Sequence, residues 1–158
     1  MIEENLYGKS STELIPSLCN LSIVYRDQNK INEAELLLNR CLNICDKGKC
    51  SNVVQSTILD NLGVIYSKKK SLKRAEILFE KAFELAKLSG DSNKIVLTTF
   101  NLSSIYLLNG KYTESIDLMN DALKQAEKTF GVNSPEVISI QNNLMKKQIF
   151  IEKVKENK

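Results

Sequence analysis

One six-residue pattern occurs three times in this chain, as Asn20-Leu21-Ser22-Ile23-Val24-Tyr25, Asn61-Leu62-Gly63-Val64-Ile65-Tyr66 and Asn101-Leu102-Ser103-Ser104-Ile105-Tyr106. The leucines stand 41 and then 40 residues apart, and a further 42 residues lead to Asn143-Leu144. Self-similarity at this period is the strongest constraint on the fold. Each copy is one supersecondary unit that cannot bury its apolar face alone, so neighbouring copies must stack.

The second copy shows what the unit is. Leu59, Leu62, Gly63 and Tyr66 fall at i, i+3, i+4 and i+7, one face of an α-helix. Beyond Lys68-Lys69-Lys70-Ser71, a second such face is formed by Leu72, Ala75, Leu78, Phe79, Ala82, Leu85 and Ala86. Two amphipathic helices joined by a tight turn make an antiparallel hairpin, in which the small residues Gly63 and Ala75 let the helices approach closely. The other second helices keep step, with Ala34, Ala75 and Ser115 at one small position and Cys41, Ala82 and Ala122 at another.

Extending this register predicts helices near 11–28, 31–47, 52–68, 72–89, 92–108, 112–130 and 134–155. Ser11 and Ser134 are candidate N-caps, and Pro135 holds the favoured first helical position. Pro16 falls in the second turn of the first helix, where it costs a backbone bond or shifts the helix start. Gly48, Gly90, Gly110 and Gly131 mark helix ends. The last helix has Met145 where Gly63 stands and Gln148 where Tyr66 stands, so it reads as a C-terminal cap, with Ile149, Phe150 and Ile151 left apolar. The expected architecture is all-α: three hairpins at about 11–50, 51–90 and 91–131, then a capping helix at 134–156. Leu6-Tyr7-Gly8 and Ser11 to Ile15 align with Thr129-Phe130-Gly131 and Ser134 to Ile138, three repeats on. Residues 1–10 therefore read as the tail of a preceding helix or as a disordered N-terminus.

The pattern resembles the tetratricopeptide repeat (TPR), which carries a leucine, a small residue and an aromatic in its first helix and two small residues in its second. The usual period of that family is about 34 residues, and these units are longer. The long-period repeats of kinesin light chains are the closest resemblance. It is carried by Tyr25 to Lys30 with Glu33-Ala34, and by Lys128 to Gly131 followed by Ser134 to Val137 and Asn142-Asn143-Leu144. No long heptad segment matches the coiled coil of a whole kinesin light chain.

The resemblance implies a right-handed superhelical solenoid whose first helices line a concave groove that receives an extended peptide. Asn20, Asn61, Asn101 and Asn143 would project into it, roughly 10 Å apart, where an amide can both donate to and accept from a peptide backbone. Alternatively these asparagines bridge neighbouring helices and only shape the groove; the two readings are compatible. The candidate partner-binding residues are Asn20, Ile23 and Arg26 in the first repeat, and Asp60, Asn61, Val64, Ser67 and Lys68 in the second. The third repeat adds Leu97, Phe100, Asn101, Ser104 and Leu107, and the capping helix adds Asn143 and Lys146. Family members that clamp a C-terminal carboxylate use lysine or arginine at the places held here by Cys19, Ile23 and Asp60, so a clamp of that kind is not expected. Leu97, Phe100, Leu107 and Leu108 make the third repeat apolar, for which packing is the more ordinary use than a ligand pocket.

Composition narrows the function further. With 42% apolar residues in 158, the chain can bury a continuous core. A net charge of +3, scattered along the sequence, gives no argument for nucleic acid or anionic lipid. The N-terminus has neither a basic start nor an apolar run, and no segment approaches a membrane span, so a soluble cytoplasmic protein is expected. There is no histidine, and the cysteines at 19, 41, 45 and 50 lack a zinc-knuckle spacing; buried or free thiols are expected, with no metal and no cofactor. Nothing resembles a phosphate loop or a nucleophile–base pair, so an enzyme is not expected. The Lys68-Lys69-Lys70, Lys73-Arg74 cluster reads as a solvated turn.

The sequence therefore points to an adaptor or scaffold that binds a partner peptide. The alternative is a structural segment of a larger protein, or one that self-associates through Leu6, Tyr7, Ile149 and Phe150.

Overall fold

The computed structural model describes Gly8 and residues 11–156. Among them there is no strand, and the elements are α1 (Leu14–Asp27), α2 (Ile31–Gly48), α3 (Asn52–Lys68), α4 (Leu72–Ser89), α5 (Ser92–Leu108), α6 (Tyr112–Phe130) and α7 (Pro135–Glu156). These bounds match the register read from the repeats within a residue or so, except at the start. There α1 begins at Leu14, three residues later than expected, so Pro16 lies in the first turn, where its missing N–H forfeits no helical bond. The residues ahead of it close through Leu14 N–H to Ser11 O (3.2 Å) and Ile15 N–H to Thr12 O (3.1 Å). Glu13, not Ser11, is consequently the N-cap, and the Ser11 hydroxyl bonds the Glu13 carboxylate instead. Ser134 caps α7 as expected, accepting from Val137 N–H at 3.3 Å.

The chain forms two compact units, Met1–Gly90 and Asp91–Lys158. In the first, α1 packs on α2 and α3 on α4, while α3 also touches α1 and α2. Its core is built from Leu14 and Leu18, Leu38 and Cys41, Ile58 and Ile65, and Phe79 with its flanking alanines Ala75 and Ala82. In the second, α5 packs on α6 and α6 on α7, with α5 also against α7. Met119, Ala126, Val137 and Ile140 form its centre, and Val96, Phe100, Leu123, Phe130 and Leu144 pack around them.

The small positions behave as the repeat requires. Ala34, Ala75 and Ser115 are fully buried, as is Cys41. The helices of a hairpin approach closely enough for a hydroxyl to cross between them: Ser56 Oγ donates to Ala82 O and Ser115 Oγ to Ser103 O, both at 2.7 Å. Gly63 serves a more specific purpose than backbone proximity. A Cβ placed there would lie 2.6–2.9 Å from the ring of Phe79, so the missing side chain is the seat of an aromatic ring from α4.

The turns repeat as well. Within each hairpin the tyrosine carbonyl accepts from the residue that opens the second helix: Lys30 N–H to Tyr25 O, Ser71 N–H to Tyr66 O and Lys111 N–H to Tyr106 O, at 2.8–2.9 Å. That six-to-one closure needs a left-handed residue just before it, supplied by Asn29 (φ 62°), Lys70 (φ 58°) and Gly110 (φ 76°). Between hairpins the same role falls to Lys49 and Gly90; Gly48, expected at this end, is instead the last residue of α2.

Two expectations for side chains change. Cys19 and Cys41 are buried free thiols with sulfurs 3.9 Å apart, but Cys45 and Cys50 are joined as a disulfide. The bond is legible only in three dimensions, where the left-handed turn at Lys49 folds Cys50 back onto the last turn of α2. The lysine-rich turn is also more than solvated surface: Lys69 Nζ bonds the Glu35 carboxylate, and the Arg74 guanidinium lies 4.2 Å from the centre of the Tyr66 ring.

Candidate functional site

Where the first helices are not packed on their hairpin partners, they leave the surface on which a groove would be built. In the first unit Asn20 is exposed, Ile23 and Arg26 are half-buried, and Arg26 is paired with Asp27 at 2.8 Å. On α3, Asn61, Val64 and Ser67 are half-buried and Lys68 is exposed. Asp60 departs from the expected set: it is only 5% exposed, held by neighbours within the fold and not offered to a partner.

A recess of about 580 Å³ lies on this face of the first unit, between the N-terminal halves of α1 and α3 and the 48–51 segment. Its apolar walls are Ile15, Pro16 and Cys19 from α1 and Val53 and Val54 from α3. Glu13, Asn20, Lys49 and Thr57 supply the polar groups around them. Volume, apolar lining and a few polar groups are the attributes of a ligand-binding cleft. Of its lining only Asn20 belongs to the candidate set from the sequence. A signal was present, because Val53 and Val54 lie off the Leu59, Leu62, Tyr66 packing face and so had no assigned partner.

Beside this face sits a tie between repeats. The hydroxyl of Tyr66, itself 8% exposed, donates to one Glu35 oxygen while Lys69 Nζ bonds the other. Hydrogen bonding from Lys69 first, and from Tyr66 second, holds the Glu35 carboxyl below its ordinary pKa, and the same contact with Glu35 raises the Tyr66 phenol. These groups fix α2 to α3.

In the second unit the expected residues divide. Leu97 is 47% exposed, Leu107 is half-buried, and Phe100 packs against the Met119–Ile140 cluster, the ordinary outcome for an apolar first helix. Asn101 and Asn143 are half-buried, and Asn101 is engaged by a neighbour. Ser104 is exposed; its Oγ donates to Phe100 O at 2.6 Å and accepts from Lys147 Nζ at 2.9 Å. Lys146, the expected groove cation, is exposed, and the inward-turned residue is its neighbour Lys147, 7% exposed. The register explains this: Val137, Ile140, Leu144, Lys147 and Ile151 share one helix face, so the lysine stem packs as an aliphatic chain.

Burial lowers the Lys147 pKa. The folded state therefore carries an unfavourable ammonium below that lowered value, and stability rises with pH from there until the unfolded lysine titrates. Lys147→Met keeps the packing and removes the charge. It is expected to stabilise the second unit by about 1–2 kcal/mol at neutral pH and to abolish the alkaline rise, both measurable by urea unfolding across pH.

Comparison with known proteins bears on the repeats and the fold. Sequence models described as Tetratricopeptide repeat match residues 17–46 and 101–136, and residues 56–87, together more than half of the chain. None of the curated proteins matches. Among solved structures, a Podosopora anserina protein of nearly identical TPR-like repeats, described as a candidate kinesin light chain, superposes with a TM-score of 0.74 at 19% identity, over 90% of this chain and 69% of that one. A point variant of the same protein gives 0.72 at 19% identity, over 90% and 73%. BtubC (BKLC) from P. vanneervenii gives 0.73 at 20% identity over 84% of this chain, which spans 54% of that protein. At these identities the likeness is one of fold.

Proposed function

We propose, for a chain that belongs to the tetratricopeptide repeat family, that its protein-interaction surface is the face of the first helices and that it receives an extended segment of a partner protein. The observation that carries this reading is the 580 Å³ recess between α1 and α3. It is large enough for a bulky apolar side chain and is flanked by the Asn20 amide, with Asn61 further along the neighbouring helix. An extended peptide would seat one apolar residue among Pro16, Val53 and Val54 and offer its backbone to the amides. Membership of a repeat family that serves protein interaction supports a role as an adaptor.

The test is peptide selection on the immobilised chain, followed by anisotropy titration of the selected peptides. Val54→Asp, and separately Asn20→Ala with Asn61→Ala, are expected to weaken binding at least about tenfold while leaving the helical signal intact, as losses of about 1.4 kcal/mol require. Unchanged affinity in both variants would remove groove binding as the mode.

A second reading rests on α7, where Met145 is 59% exposed, Ile149 45% and Phe150 47%. An apolar surface of this kind suits self-association or the packing of a further repeat. Leu6 and Tyr7, the other end named for it, lie outside the described residues. Sedimentation velocity showing a monomer at high concentration would dismiss self-association.

A further inference from the structure

We propose that the Cys45–Cys50 disulfide is a redox latch on the recess between α1 and α3, so that reduction of this bond weakens ligand binding there. The proposal rests on the reading of that recess as the binding site.

The latch is a matter of placement. Gly48, Lys49, Cys50 and Ser51 form one wall of the recess. Cys50 is half-buried and bonded to Cys45, five residues earlier and buried in the last turn of α2. Between them Lys49 holds a left-handed conformation (φ 51°, ψ 59°), as Asn29 and Lys70 do in the turns within hairpins. Apart from the disulfide, Cys50 is held by its N–H to Cys45 O at 3.3 Å and by Gln55 Nε2 donating to its carbonyl at 3.0 Å. With the sulfurs parted, the wall loses its covalent anchor and is left with these hydrogen bonds, of which the turn bond at 3.3 Å is longer than the 2.8 and 2.9 Å of the equivalent bonds after Asn29 and Lys70. A recess that must order its own wall binds more weakly than one already formed.

The exchange is chemically complete with a dithiol reductant of the thioredoxin class. One donor thiolate attacks the Cys50 sulfur, the more accessible of the two, and Cys45 departs as a thiolate that takes up a proton. The second donor thiol then attacks the mixed disulfide and frees Cys50, so two electrons pass to the protein and the donor leaves as its own disulfide. The neighbouring thiol on α2 does not intercept the bond. Cys41 lies one turn before Cys45 on α2, but its contact with Cys19 and its burial raise its pKa, and a protonated thiol is not a nucleophile. In compartments poised by glutathione, disulfides that do form are commonly sensors of this kind.

Two measurements decide it, both on the full chain. The first titrates 8-anilinonaphthalene-1-sulfonate, an apolar dye, into the oxidised protein and the protein reduced with dithiothreitol. The oxidised form is expected to bind about tenfold more tightly, and Cys50→Ser to match the reduced value and ignore the reductant. The second follows amide exchange across residues 48–54, expected to speed up about tenfold on reduction in the wild type and to be fast throughout in Cys50→Ser. Equal exchange and equal dye affinity in the two redox states overturn the latch. Val54→Asp separates the two ideas: dye binding that survives it belongs to another apolar surface, such as Met145, Ile149 and Phe150 of α7, and amide exchange across 48–54 then decides the latch, while the peptide titration with the same variant decides the recess reading.

Discussion

Tyr66→Ala is expected to lower the stability of the first unit by about 3–5 kcal/mol, the range for deleting a buried aromatic. The ring is 8% exposed and covered by the Arg74 guanidinium at 4.2 Å, so its removal opens a cavity between the two helices of the second hairpin. Its hydroxyl also bonds Glu35, which brings α2 to the same point. Tyr66→Phe keeps the ring and loses only that bond, and should cost about 1–2 kcal/mol. Both values come from denaturant unfolding followed by far-UV circular dichroism. A loss of a few tenths of a kcal/mol for the alanine variant would mean that Tyr66 is not part of the packing face. The Glu35 carboxylate, bonded by Lys69 first and by Tyr66 second, sets an acid limit. Because the Glu35 carboxyl is held below its ordinary 4.5, its contribution is present above that pH and is lost as the pH falls through the lower folded value. Tyr66→Ala should therefore be less acid-sensitive than the wild type.

Gly63→Val is the second large effect, about 3 kcal/mol or more, through overpacking. The first carbon of any side chain would stand 2.6 Å from the Phe79 ring, and Phe79 is itself 4% exposed, with no solvent into which to swing. Either the ring leaves its rotamer or α3 and α4 separate. Pairing the substitution with Phe79→Leu discriminates between these. If the ring is the obstacle, the double variant recovers much of the loss, and its coupling energy is well above the scatter of additive pairs. If helix separation is the cost, the two substitutions add.

Much of this molecule was legible in the periodic apolar positions. A face repeating at 3.6 residues reports a helix wherever it occurs, and its recurrence about every 41 residues reports the hairpin, so the helix bounds, small positions and capping helix followed. Pro16 was legible as a problem but not in its solution, because moving the helix start by three residues is decided by whether the Ser11–Thr12 carbonyls find donors. The candidate surface was legible only in part. Asn20 is exposed and Val64 half-buried, whereas Asp60 is taken into the fold and Lys147, not Lys146, turns inward. A helical wheel gives a direction to within some tens of degrees, and residues at the edge of the packing face fall to whichever side their neighbours leave open.

The repeat, the hairpin and the identity of the packing face belong to the sequence, because each depends on periodicity within a few turns of chain. Three features belong to the tertiary structure alone: the recess between α1 and α3, the closing of Cys50 onto Cys45, and the joining of Glu35 to Tyr66 and Lys69. The last joins residues more than thirty positions apart, and the other two turn on how a single left-handed residue, Lys49, directs the chain out of one hairpin and into the next. Local periodicity carries no record of such angles; they are set when the helices pack.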